Sequence, residues 1–240
     1  MTQNATRQKL SFVCKCLTVL TALGGVLISL PESNAHGYSH WSKRFLYFTA
    51  QSNLWIGGIM LLFLVYFFLD ATPPKALYLC KYVFTVSITM TGLIFCGLLG
   101  PFGDPSYHLW AFSGWLTHIF SPAFAIADLF LDEGQILIRG GQVWLCVLPP
   151  LAYAFFTILL EAVGTDFGRG LPYPYFFMYY RSPVGLFGFS NQIPFFIGTF
   201  YWLVLFFLLV MGIGFFYRNA LNHALLMRTA DKEAQTISLP

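Results

Sequence analysis

Long apolar runs alternate with short polar breaks along this chain. The runs occupy roughly 10–30, 45–69, 78–99, 109–131, 142–163 and 193–217. Each is long enough to cross bilayer hydrocarbon as a helix, which takes about 20 residues. Helix breakers fill the connections: Pro31, Pro73-Pro74, Gly100-Pro101, Gly140-Gly141 and a Gly/Pro-rich stretch over 164–188. The pattern predicts an all-α membrane protein, one six-helix domain over 1–240, with 218–240 a polar tail that ends as a short helix. The longest stretch between spans, 164–192, contains Leu171-Pro-Tyr-Pro-Tyr-Phe-Phe-Met-Tyr-Tyr180. Its tyrosines suit the membrane interface, where the segment is expected to lie as a lid.

Composition agrees. The 240 residues are 57% hydrophobic and 10% charged, against about 25% charged in soluble domains. Nine of the 13 Lys and Arg fall at the N-terminus (Arg7, Lys9, Lys15), the second connection (Lys75, Lys81), the fourth (Arg139) and the tail (Arg218, Arg228, Lys232). Lys43, Arg44, Arg169 and Arg181 fall on the other side. Read as topology signals, they place both termini in the cytoplasm. Short loops point to a bacterial inner membrane, as does the lack of a usable outer glycosylation site; Asn4-Ala-Thr6 falls on the cytoplasmic side. A signal peptide cleaved after Ser33-Asn34-Ala35 is the alternative for the first span, although its apolar stretch exceeds the usual length. A net charge of +3, with no basic aromatic patch or phosphate loop, argues against a nucleic-acid partner. The five cysteines do not form a disulfide framework and read as buried thiols, with palmitoylation of the membrane-proximal ones as the alternative.

Chemistry should reside in polar side chains at membrane depth, because these must find partners inside the protein. His118 is the one histidine of five inside a span. His36, His40, His108 and His223 fall in loops, at segment ends or in the tail. Span two opens with Thr49, Gln51, Ser52 and Asn53. Thr49, Ser52 and Asn53 share a helix face, and Gln51 points elsewhere. At 1.5 Å per residue Thr49 is ~6–12 Å deep and His118 ~14 Å, so the two can be level. A threonine hydroxyl within reach of an imidazole nitrogen is a nucleophile–base pair. The bland alternative is interhelical hydrogen bonding.

Other positions weigh less. Asp128 lies ~15 Å beyond His118 along the helix, too far for a triad carboxylate, and is expected as a helix contact. Glu161 and Asp166 are expected to be solvated. Tyr153 is placed either to hydrogen-bond into the core or to pack there. Pro122 should kink span four and free a carbonyl for a neighbouring side chain. Asn53, Ser52 and Trp115 are candidate oxyanion donors, Asn53 first. His36 and His40 lack a third metal ligand, so no metal and no cofactor are expected. A lone intramembrane histidine does not suit bis-histidine haem, and no carboxylate chain suggests a proton relay.

Phe48-Thr-Ala-Gln-Ser-Asn-Leu54, His118 followed by Pro122 and Asp128, and Pro172-Tyr-Pro-Tyr175 together resemble the androgen-induced gene / ADTRP family, closest to its bacterial six-span members. Pro172-Tyr173-Pro174 keeps the family's order, whereas the following Tyr175-Phe-Phe-Met178 is looser than the family pattern. Family members of known activity are membrane threonine hydrolases that cleave fatty acid esters of hydroxy fatty acids. The resemblance implies Thr49 as nucleophile and His118 as base, a lipid substrate arriving from the bilayer, and a supporting role for Tyr173 beside Tyr153. A non-catalytic protein that binds or transports a small ligand or lipid is the competing expectation.

Overall fold

The structure, a computed structural model, describes residues 2–35, 39–102, 110–132, 134, 136–168 and 170–237. His36, His108, Leu109 and Arg169 lie outside them, and with them the His36–His40 pair. Six helices are long and apolar enough to cross a membrane. They are α1 (Thr2–Ala35), α2 (Phe48–Phe68), α3 (Lys75–Phe102), α4 (Phe112–Leu131), α5 (Gly140–Ala162) and α6 (Thr199–Ile237). Their outward faces carry exposed apolar side chains, among them Leu20, Leu61, Phe155 and Leu208. Such a continuous surface is costly in water and at home in lipid.

Three boundaries differ from the sequence pattern. Pro31 lies inside α1, where a proline removes one backbone hydrogen bond. The segment before α6 stays out of the helix until Thr199 because Pro194 and Gly198 interrupt it. The tail is no separate helix: α6 continues to Ile237 and carries His223 with it. Residues 218–237 contain no Gly or Pro, so strong helix formers prolong the rod.

Helices α1 to α4 form a ring in which α1 and α3 each touch both α2 and α4. Ala22, Ile56, Met60, Ile88 and Ala125 fill its centre. Helices α5 and α6 lie against α3, joined to it through Tyr82, Val86, Met90, Cys146 and Val210. They meet each other along Gly140–Val147, a 3-10 stretch; the remainder of α5, Leu148–Ala162, stands away from α6.

Arg7 donates from Nε to the Leu131 carbonyl (3.3 Å), and Arg228 from Nη1 to the Asp132 carbonyl (3.2 Å). Both terminal helices therefore reach the same end of the bundle, where they cap the last turn of α4. An ionic cluster lies just inside this end. Lys15 of α1 contacts Asp128 Oδ1 at 2.8 Å and Asp132 Oδ2 at 3.1 Å. Lys81 of α3 pairs with Asp128 and, at 2.6 Å, with Asp132. Ser11 donates to Asp128 Oδ1 at 2.7 Å, and the Phe63 ring of α2 lies 5.6 and 5.0 Å from the two ammonium groups. Lys15 and Lys81 are thus buried helix-to-helix contacts, whereas the sequence reading made them flanking charges. Asp128 is the helix contact expected of it.

Candidate functional site

The site occupies the opposite end of the bundle, where α2 begins. Tyr47 is the extended N-cap of α2, and two tyrosines fix the approach to it. Tyr153 donates to the Leu46 carbonyl at 3.0 Å, and Tyr47 to the Phe167 carbonyl at 3.1 Å. Thr49 is therefore held in the first turn of α2, which decides its chemistry. Thr18, Thr21, Thr85, Thr89, Thr91, Thr117 and Thr157 each return their hydroxyl to a carbonyl three or four residues earlier. That is the usual resting place of a helical threonine. Four residues before Thr49 the carbonyl belongs to Phe45, outside α2, and Gln51 Nε2 occupies it at 3.0 Å. Thr49 Oγ1 instead points across the bundle and lies 3.1 Å from His118 Nε2.

His118 is carried by a widened turn. Residues Leu116–Phe120 are π-helical, and α3 has its own π turn over Phe95–Leu99. Such turns recur at functional sites because they redirect side chains. The two turns face each other here: the Phe95 ring stacks on the His118 ring, centroids 4.0 Å apart and 20° between planes. Gly25 and Gly92 let α1 and α3 approach this turn. A Cβ on Gly25 would lie 2.7 Å from Thr117 Cγ2, and one on Gly92 2.9 Å from the His118 carbonyl. Pro122 has no N–H to give, so the Thr117 carbonyl five residues back is open to Asn53 Nδ2, which donates to it at 3.1 Å.

The tautomer of His118 follows from its partners. Nδ1 is 3.0 Å from the Gly114 carbonyl and 3.1 Å from Thr117 Oγ1. A carbonyl only accepts, and the Thr117 hydroxyl donates to the Ser113 carbonyl at 2.8 Å. Nδ1 therefore carries the proton and Nε2 presents its lone pair to Thr49. Gly114 is the group that orients the second nitrogen, a part no side-chain pattern could reveal, since the acceptor is backbone.

One further residue reaches Thr49. Tyr175 precedes a short 3-10 turn, Phe176–Met178. Its hydroxyl is 3.3 Å from Thr49 Oγ1 and accepts from the Thr49 N–H at 3.3 Å. Tyr173 is two residues away, and its ring packs on Tyr179 and Phe195 instead, centroids 4.5 and 6.2 Å distant. Of the two tyrosines in Pro172-Tyr-Pro-Tyr175, the structure brings Tyr175, not the expected Tyr173, to the threonine.

The remaining expected site residues divide. Tyr153 packs its ring on Phe48, centroids 5.1 Å apart, and supports the start of α2. Asn53 is fully buried and gives its amide to the Thr49 and Thr117 carbonyls. Ser52 hydrogen-bonds with Thr91 Oγ1 at 2.9 Å and lies 3.2 Å from the Thr49 carbonyl. Both brace the helix around Thr49, and neither directs a donor toward Oγ1. Trp115 is 42% exposed and packs on Trp110 and Phe120 at the bundle surface, so it cannot serve as an oxyanion donor. Glu161, expected to be solvated, is buried, with Arg181 Nε 3.7 Å from its carboxylate; the loop after α5 folds back over it. Asp166 remains partly exposed beside Lys43, which donates to its carbonyl.

Thr49 opens onto a cavity of about 160 Å³ between α3, α5, α6 and the Tyr175 segment. Met90, Ile94, Ala154, Phe177, Leu203 and Phe206 are among its walls; Thr49, Thr91, Tyr153 and Tyr175 are the lining residues that carry hydroxyl groups. Leu151 and Phe207, 59% and 38% exposed, also line it and mark a mouth where α5 stands away from α6. Comparison with known family models, curated proteins and solved structures finds no match.

Proposed function

We propose that this protein is an intramembrane hydrolase of long-chain carboxylic esters that uses Thr49 as nucleophile and His118 as base. The observation behind this reading is the 3.1 Å contact from Thr49 Oγ1 to an unprotonated His118 Nε2 at the edge of an apolar cavity. Nucleophile, base and an orienting acceptor in sequence is the recurrent arrangement for activating a hydroxyl. The acyl chain lies in the cavity and arrives through the lateral mouth at Leu151 and Phe207. His118 Nε2 takes the Thr49 proton as Oγ1 bonds to the carbonyl carbon. The alcohol departs with that proton, leaving acyl-threonine. Water, deprotonated by the same nitrogen, then releases the fatty acid and restores Thr49.

The resemblance to the androgen-induced gene / ADTRP family supports the same chemistry and suggests fatty acid esters of hydroxy fatty acids as substrates. The excess of Lys and Arg at the terminal end supports a cytoplasmic location for both termini, and the short loops without a usable outer glycosylation site support a bacterial inner membrane.

The test is active-site labelling of the detergent-purified protein. A long-chain fluorophosphonate is expected to modify Thr49, located by peptide mass spectrometry. Thr49→Ala and His118→Ala are each expected to abolish ester hydrolysis. A protein that only binds or carries lipid would show neither labelling nor turnover across a broad ester panel, and that result ends the enzyme reading.

A further inference from the structure

Cleaving an ester needs a donor for the carbonyl oxygen as well as a base. When Oγ1 adds to the carbonyl carbon, the C=O π pair moves onto oxygen, and in a water-poor site that charge requires preorganised donors. Asn53 and Ser52 are committed to carbonyls and to Thr91, and Trp115 is on the outer surface. Among the described side chains, the groups hydrogen-bonded to Thr49 Oγ1 are His118 and Tyr175.

We propose that Tyr175 is a third catalytic residue, whose phenol, together with the Thr49 backbone N–H, receives the charge that develops on the ester carbonyl oxygen. This rests on the Thr49–His118 ester cleavage proposed above. The new oxyanion is bonded to the same carbon as Oγ1, so a hydroxyl that already touches Oγ1 is one short rotation from it. After addition Oγ1 is an ether-type oxygen and a poorer acceptor, which frees the phenol O–H to donate its hydrogen bond to the oxyanion. The Thr49 N–H belongs to the first turn of α2 and has no intrahelical acceptor; at rest it is occupied by Tyr175. As the phenol O–H rotates toward the oxyanion with its oxygen held in place, the Thr49 N–H beside it is positioned to donate to the same oxyanion. Both donors are neutral, and the helix N-terminus adds a favourable partial positive charge.

The phenol is positioned for this. Its ring is stacked on Phe177 with centroids 5.0 Å apart and 10° between planes, and it meets Tyr47 edge-on at 5.5 Å. Aromatic neighbours on two sides fix the hydroxyl, and preorganisation of that kind separates an oxyanion donor from a mobile side chain. No charge is transferred from Tyr175: His118 returns its proton to the departing alcohol, and the phenol keeps its own.

Tyr175→Phe tests this, since it removes the oxygen and keeps the ring packing. The variant is expected to lose about 10²–10³-fold in kcat, with KM within about threefold. A long-chain trifluoromethyl ketone, which forms a tetrahedral oxyanion on the nucleophile, should bind it about 10²-fold more weakly, whereas an unreactive ether analogue of the substrate should bind as it does to the wild type. Wild-type kcat and wild-type ketone affinity in Tyr175→Phe overturn the role of Tyr175 and leave the dyad standing, provided Thr49→Ala and His118→Ala are inactive. Activity in Thr49→Ala overturns the underlying ester-cleavage reading instead. Equal weakening of the ketone and the ether would show a packing residue, and that too refutes the proposal.

Discussion

Two polar regions interrupt the apolar bundle, one at each end, and they handle the cost of burial in opposite ways. The cluster at the terminal end holds two lysines and two aspartates in a closed set of ion pairs. The site at the far end holds no paired charge at its centre: threonine, histidine, tyrosine and a backbone carbonyl. In the cluster each charge is spent on another charge. At the far end Thr49 lines a cavity, with its hydroxyl oxygen 3.1 Å from His118 Nε2. Membrane-depth polarity by itself therefore does not mark function. Satisfaction with no access marks a fastening; a reactive atom with access to a cavity marks a site.

The largest effect that separates the two regions is catalytic. Thr49→Ala should cut hydrolysis by about 10³–10⁶-fold while changing the unfolding midpoint in detergent little, because Thr49 Oγ1 bridges neutral partners at a cavity edge. Activity and thermal unfolding measured on one preparation check this. A large drop in stability with Thr49→Ala would move the far end into the same structural category as the cluster.

Next in size is the cluster itself. Lys81→Met leaves two buried carboxylates facing one ammonium group and should cost about 3–5 kcal/mol. Activity per folded molecule should stay near wild type, since Lys81 is at the other end of the bundle from Thr49. Replacing all four charges together with Met and Leu is the sharper variant. A buried ionic set exchanged whole for apolar groups of similar volume is often neutral or stabilising. Recovery of stability and of hydrolysis in that quadruple variant is the expected outcome; a folded but inactive quadruple variant would show that the cluster also serves the reaction.

These two regions also differ in how far they could be read from sequence. The spans were legible because apolar length is a one-dimensional signal, and the Thr49–His118 pair because residue type and depth suffice to suggest it. The cluster was not assembled: Asp128 was read as a helix contact, but Lys15 and Lys81 each have an innocent reading as flanking charges, and only helix packing turns them inward. Tyr175 escaped for a different reason. In an extended segment side chains alternate, so the two tyrosines of Pro172-Tyr-Pro-Tyr175 cannot be ranked without the fold. The Gly114 carbonyl carries no side-chain signal at all. The position of Thr49 does carry a signal: a threonine in the first turn of a helix lacks the internal carbonyl that would otherwise take its hydroxyl.

A smaller effect concerns access. Leu151 and Phe207 border the mouth between α5 and α6. Leu151→Trp should narrow it and raise KM for long-chain esters by about tenfold, within the range one pocket contact supplies, while short-chain esters are nearly unaffected. A ladder of esters differing only in acyl length reads this. An unchanged chain-length profile would mean that lipid reaches Thr49 by another route, and the openness that distinguishes the far end would need a different boundary.

The smallest effect is one of pH. Asp132 lies just beyond α4, and burial alone would raise its carboxyl pKa; Lys81 and Lys15 outweigh that and hold it below the usual carboxylate range. A native pKa below the unfolded one means that the unfolded chain binds the proton more readily. The stabilisation is therefore complete above the unfolded value of about 4 and is lost as pH falls through the lowered native value. Asp132 should contribute no pH dependence to the unfolding midpoint between about pH 5 and pH 8; below that the midpoint should decline, less steeply in Asp132→Asn. Hydrolysis has a different requirement, because only a neutral His118 can take the Thr49 proton. Activity should fall on acidification while the fold holds. If the two profiles instead fall together, loss of the fold accounts for the loss of activity, and pH no longer separates a sealed ionic cluster from a reactive neutral site.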